Sequence, residues 1–286
     1  MICMFCFLPA ANVAGQSNPA LGGFDAPGFL EDAFSGMDKA FEEMETGVTP
    51  QDAYFLGRAI AANILTAYSP YTGNPELTRY LNRICQAIVI NSPGLELYQG
   101  CSVQILDNPE YNAFASPGGH IFITRGLVEA AASEDQLAAV IAHELAHIIL
   151  KHGLNMISEM RIVDEAAATA NRAAELAGNS EAARRTLEFR SSVSTMFDTM
   201  VKNGYSQAQE FEADREALKL LAASGYDPEA LLQVLIILHG TQSSQQGGFF
   251  STHPSPVDRF VNAEKWIGDY QVNDTRSYRA PRFKNK

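Results

Sequence analysis

Ser133-Glu134-Asp135-Gln136-Leu137-Ala138-Ala139-Val140-Ile141-Ala142-His143-Glu144-Leu145-Ala146-His147 is the stretch on which the reading of this chain turns. Ser133 followed three residues later by Gln136 is the pattern of a helix start, a capping box. The helix it opens carries Leu137, Val140, Ile141, Leu145, Ile148 and Ile149 at helical spacing. His143 and His147 are four residues apart, so they project from one face, one turn above the other. Both imidazoles then reach a single ion. Glu144 lies about 100° around from His143, close enough to act on a water at that ion rather than on the ion itself. This is the arrangement a hydrolytic zinc site needs. The bland alternative is a pair of satisfied core histidines. The neighbouring positions are apolar, however, and burying His, Glu and His with no ligand would be costly.

A catalytic zinc takes a third protein ligand. Ser206 with Gln209 is a second capping box, and the helix it opens ends at Gly225. That helix carries Glu210-Phe211-Glu212-Ala213-Asp214. Glu210 and Asp214 share a face. One carboxylate on the metal and one orienting a ligand histidine would fit the pair. Glu212 points elsewhere and reads as surface. Spacing alone leaves open that all three acids decorate a solvated helix.

Around these helices the pattern is mixed. Helices are expected from Pro50 to Tyr68 and from Pro75 to Val89. Cys101 to Leu106, Ala113 to Ala115 and His120 to Thr124 read as strands, with turns at 107–112 and at Pro117-Gly118-Gly119. They predict a small sheet built on hairpins. Residues 165–185 read as a solvated helical hairpin or a flap. Asp227-Pro228 starts another helix, closed by Gly240. Residues 241–250 read as a flexible loop, Pro256 begins a last helix through Ile267, and 271–286 reads as a loose tail. Residues 16–49 read as an arm with a short amphipathic helix near 30–45.

Several of these stretches resemble metallopeptidase family forty-eight. They are Asn112-Ala113-Phe114-Ala115, Pro117-Gly118-Gly119-His120, Thr124-Arg125-Gly126-Leu127, the helix with both histidines, Lys151-His152, Glu210 to Asp214, and His253-Pro254 with Asp258-Arg259. The resemblance covers roughly residues 50–270 and implies one zinc metallopeptidase domain there. It implies an α+β fold, a mainly helical gluzincin domain with a small β-sheet whose edge strand faces the cleft. It implies one Zn²⁺ per chain, held by His143, His147 and Glu210, with Glu144 as the catalytic base and Asp214 behind a ligand. It also implies that His253 is a fourth ligand or an oxyanion stabiliser; a loop-capping histidine is the plain alternative. The segment Gly119, His120, Ile121 and Phe122 would be the edge that pairs with a substrate strand. His120 and His152 are read as structural or cleft-lining, and Arg259 as an anchor for the His253 loop through a carboxylate.

The resemblance further implies hydrolysis of peptide bonds in peptides or unfolded proteins, in protein quality control of the bacterial envelope with outer-membrane proteins as partners. The competing function is a latent protease acting mainly as a chaperone or assembly factor. The chain shows neither the membrane helices of some branches nor tetratricopeptide repeats, so the soluble periplasmic branch fits best.

Composition narrows the field. A net charge of −12 and the lack of any Lys/Arg cluster argue against nucleic-acid binding. No run of eighteen apolar residues exists, so no integral membrane span is expected. Met1 to Leu8 is apolar and small residues follow, which reads as the remnant of an export signal over 1–15, without a positive segment ahead of it. An exported protein, periplasmic or peripherally attached to a membrane, is the expectation. Cys85 and Cys101 either pair in that compartment or are two small buried thiols.

Overall fold

The computed structural model describes residues 48–92, 94–159, 193–194, 197–198, 204–241, 253, 255–270 and 276–284. The export signal, the 16–47 arm, the 165–185 hairpin and the loop after Thr241 lie outside the described residues.

Helix α1 spans Pro50–Ala67 and α2 spans Pro75–Ile90. Each begins with proline, whose fixed φ suits a first helical position. Thr49 and Asp52 cap α1 reciprocally, and Asn74 accepts from the Leu77 N–H at 3.1 Å to start α2. Three strands follow: β1 (Ser102–Leu106), β2 (Ala113–Ser116) and β3 (His120–Thr124). Then come α3 (Arg125–Ala130), α4 (Glu134–Ile149), α5 (His152–Glu159), α6 (Gln207–Ala223), α7 (Glu229–Thr241), α8 (Pro256–Ile267) and α9 (Arg276–Lys284). The fold is α+β, mostly helical with one small mixed sheet.

The sheet order is β1-β3-β2. β2 and β3 form an antiparallel hairpin, but β1 runs parallel to β3, from Ser102↔His120 to Leu106↔Thr124. The expectation of a sheet made only of hairpins is therefore corrected. The 107–112 segment does not fold β2 back onto β1. The Asn112 carbonyl accepts from Thr124 N–H and hydroxyl, each at 2.9 Å, which docks the segment at the end of β3. The expectation that Gly119, His120, Ile121 and Phe122 form the substrate edge is corrected as well. His120, Ile121 and Phe122 have partners on both sides, Ser102, Val103 and Gln104 on one and Ser116, Ala115 and Phe114 on the other. No strand can add to β3. Among the described residues β1 and β2 are the edges.

Helix α1 lies directly on the β2–β3 turn. A Cβ at Gly57 would sit 1.7 Å from the Pro117 carbonyl oxygen. Gly118 has φ of 76°, and a Cβ there would meet the Tyr54 Cα at 2.3 Å. Glycine supplies both the turn and the close approach.

Helix α4 is the axis of the molecule. All its residues from Glu134 to His147 are buried, against α2, β2, α6 and α7. Leu137, Ile141 and Leu145 join Leu81, Ile88, Leu218 and Leu221 in the main core. Its cap is half of a capping box: Ser133 accepts from Gln136 N–H, while the Gln136 amide turns to Ala132 N–H at 2.7 Å. The acids of its first turn complement the positive end of the helix dipole. The Sγ atoms of Cys85 and Cys101 lie 2.8 Å apart as two buried free thiols.

The expected loose tail is instead ordered over α9, because its cations neutralise that first turn. Arg279 grips Asp135 through Nη2 and Nε, at 2.7 and 3.2 Å. Glu134 takes Arg282 together with the hydroxyls of Tyr80 at 2.7 Å and Tyr226 at 3.2 Å. Arg279 and Asp135 are both over nine-tenths buried. Breaking such a pair by removing one partner costs about 3–5 kcal/mol. Arg279→Met is expected to lower stability by that order in urea unfolding, and Arg282→Met by clearly less because the Arg282 side chain is 58% exposed.

Candidate metal centre

The histidines on α4 face α6, where Glu210 and Asp214 sit one turn apart. His143 Nε2 is 3.1 Å from His147 Nε2 and 3.5 Å from Glu210 Oε2. His147 Nε2 is 3.4 Å from Glu210 Oε1. His253, three residues ahead of α8, has Nδ1 2.9 Å from Glu210 Oε1 and 3.3 Å from His143 Nε2. One donor atom from each of His143, His147, Glu210 and His253 lies within 4.8 Å of every other. All four residues are buried.

Asp214 lies behind this group, its Oδ1 3.0 Å from His143 Nδ1. Arg259, one turn into α8, closes the arrangement. It donates to Asp214 through Nε at 2.8 Å and Nη2 at 2.6 Å, and its Nη1 is 2.9 Å from Glu210 Oε2. The expected anchoring through one carboxylate is thus a clamp on two. Glu144 is fully buried beside the group, 3.6 Å from His253 Nε2, and neither of its oxygens accepts a hydrogen bond from the described residues.

Charge decides what the site can hold. Glu144, Glu210 and Asp214 against Arg259 leave two negative charges when the imidazoles are neutral. One divalent ion balances them. Nitrogen and carboxylate donors suit Zn²⁺, and the orphaned oxygens of Glu144 suit a water beside it. The residues fit zinc. Without the ion, protons take up part of the charge. Burial and Arg259 oppose protonation of His143, but Asp214 and Glu210 outweigh them and hold its pKa up to about 9. Burial keeps His147 well below its ordinary range and pushes Glu144 above its own. Burial works to raise Glu210, yet the facing His253 and Arg259 hold it well below the usual carboxylate range.

Three features had no clear sequence signal. Tyr205, just ahead of the α6 cap, stacks on His147 with centroids 3.9 Å apart. His152 contacts His147, and Glu212 contacts His152. A cavity of about 240 Å³ reaches His147 and Tyr205 and is walled by Ala53, Leu95, Leu97, Pro117 and Leu154. His120 lies apart from the donors, beside Tyr54, and burial brings its pKa down to about 4.

The model of Peptidase family M48 matches residues 74–267, more than half of the chain. The chain belongs to peptidase family M48. Among its relatives is the mitochondrial metalloendopeptidase OMA1 of Schizosaccharomyces pombe, 30% identical over 226 residues, 78% of this chain and 61% of that protein. The beta-barrel assembly-enhancing protease of Escherichia coli is 26% identical over 209 residues, 70% of this chain and 40% of that protein. The metalloprotease LoiP of Escherichia coli is 27% identical over 189 residues, 65% of this chain and 69% of that protein. This chain therefore spans less than two thirds of the first two relatives. M48 metalloproteases are zinc-dependent, in agreement with the donor set. No described helix is long and apolar enough to cross a membrane.

A proton on His143 in the zinc-free protein competes with the metal for the same ring. The raised pKa means that proton is bound at pH 7 and lost as pH rises through about 9. Zinc uptake at pH 7 is therefore expected to release a proton, and zinc affinity to fall as pH falls. Calorimetric titration in two buffers of different ionisation enthalpy reads the release directly; equal heats in both would contradict it.

Proposed function

We propose that this chain is a zinc metalloendopeptidase with His143, His147 and Glu210 as ligands and Glu144 as catalytic base. The observation that carries this reading is the buried group His143, His147, Glu210 and His253 with the orphaned Glu144 carboxylate beside it. Zinc held by His143, His147 and Glu210 would supply Lewis acidity there. Glu144 takes a proton from the attacking water and delivers it to the leaving amine. Burial raises its pKa above the ordinary carboxylate range, which strengthens it as a base. Asp214 holds the His143 ring, and Arg259 holds Asp214 and Glu210 against each other's charge.

A latent resting state is part of the proposal. His253 occupies the position of a fourth donor, where a working site keeps room for water and substrate. The β2 edge beside α4 is covered too: Ala113, Phe114, Ala115 and Ser116 are all buried. Both observations favour a protease that waits for His253 to move, which leaves space for a chaperone or assembly role between turnovers. Ala115 lines the same cavity as His147, so a substrate strand added at β2 would lead toward the zinc ligands.

For the biological setting we infer envelope protein quality control in an exported, periplasmic or membrane-peripheral form. The support is the name of relatives that enhance β-barrel assembly, together with the apolar start of the chain. Unfolded protein segments are the proposed substrates.

The test is cleavage of casein with zinc content measured in parallel. Glu144→Gln is expected to retain one zinc and to lose at least about 10²-fold in rate. Cleavage at the wild-type rate by this variant would remove Glu144 from its role. His253→Ala is expected to cleave several-fold faster than wild type if the histidine caps the metal. A slower His253→Ala with zinc retained would instead make His253 an oxyanion stabiliser.

A further inference from the structure

His147 is tied to the protein surface through two further side chains. Its Nε2 faces the donor group, and its Nδ1 turns away to within 2.9 Å of His152 Nδ1. On the far side of that ring, His152 Nε2 lies 3.3 Å from Glu212 Oε2. Local geometry builds this line. Lys151, at φ of 55°, turns the chain between α4 and α5 and brings His152 back beside the last turn of α4. Glu212 lies two residues beyond Glu210 on α6, about 200° around the helix, and so meets His152 from outside the metal site. His152 is buried, whereas the Glu212 side chain is 65% exposed. The line therefore runs from the metal centre to solvent.

Only one placement of protons suits this line when His147 offers the Nε2 lone pair to an ion. The His147 Nδ1–H donates to His152 Nδ1. The His152 ring then carries its proton on Nε2 and donates it to the Glu212 carboxylate. Two nitrogens facing each other at 2.9 Å require one donor and one acceptor, and the acid at the far end selects which is which. His143 is held differently, by a carboxylate placed directly on its Nδ1.

We propose that His152 and Glu212 are positioning residues that fix His147 in the tautomer presenting Nε2 to zinc. This rests on the zinc reading of the site. The outer partners of ligand histidines hold ring orientation and basicity, and their loss weakens metal binding by about 10- to 100-fold. His152 therefore matters for zinc affinity, and Glu212, exposed and two residues from a ligand, acts through it.

The experiment measures zinc affinity of the full chain by competition with a chromophoric chelator, for wild type, His152→Phe, His152→Gln and Glu212→Leu. The His147 ring nitrogens are followed by ¹⁵N chemical shift. His152→Phe is expected to bind zinc about 10- to 100-fold more weakly. His152→Gln, which keeps an acceptor oxygen, recovers part of the loss. Glu212→Leu weakens binding by a smaller factor, with an unchanged unfolding midpoint in the zinc-free protein. The wild-type shifts should report Nδ1 protonated and Nε2 bound. Zinc affinity at the wild-type value in Glu212→Leu, or a zinc-bound His147 with Nε2 protonated, overturns the proposal. If His152→Phe does not fold, Glu212→Leu decides by itself. A wild type that binds no zinc overturns the reading of the site and this inference together. Zinc-binding wild type with unaffected variants overturns the inference alone.

Discussion

Arg259 between Glu210 and Asp214 is the interaction on which the rest of the structure depends. Three carboxylates from α4 and α6 are fully buried within one small volume, and among the described residues Arg259 is the one guanidinium buried with them. Unpaired buried charges of this kind are far more expensive than the stability of a domain allows. The guanidinium offsets one charge and, through its fork geometry, fixes both acids at once. The remainder is what a divalent ion neutralises. Affinity for the ion is thus built in as an electrostatic deficit, and the proton held by His143 in the zinc-free state is the partial substitute.

That deficit persists only if the helices cannot move apart. Ala139, Ala142 and Ala146 on α4 and Ala213 and Ala217 on α6 are all fully buried in the common core. Small side chains let two helix backbones approach closely, so that histidines on one reach a carboxylate on the other. At its far end α4 is held by charges again, Glu134 and Asp135 against Arg282 and Arg279. The same helix is therefore fixed by ion pairs near both ends, with apolar packing between.

What could be read from the sequence was local. His143, Glu144 and His147 are set by helical spacing, and Ser206 with Gln209 fixes where α6 starts, hence which face Glu210 and Asp214 share. The capped start at Ser133 is local as well. Strand order was not legible, because β1, β2 and β3 have similar patterns and the parallel pairing depends on where residues 107–112 dock. The α9 clasp was missed because Arg279 finds Asp135 across 144 positions of chain, and a short basic stretch read alone is a solvated tail. His152 and Glu212 were undervalued for a related reason. Their meeting depends on the turn at Lys151 and on the crossing of α4 with α6, which no local pattern displays.

His253 differs from the other donors in how it is carried. His143, His147 and Glu210 lie inside long helices whose registers are locked by core packing. His253 precedes Ser255, whose φ of 55° marks a sharp bend into α8. Arg259 lies one turn beyond that bend. Shifting α8 as a rigid body would pull Arg259 from Asp214 and Glu210 and expose the charges it compensates. Any departure of His253 that keeps this clamp has to leave α8 in place. The fold separates the two groups physically: the Arg259 clamp belongs to α8, and His253, the fourth member of the donor group, lies ahead of that helix.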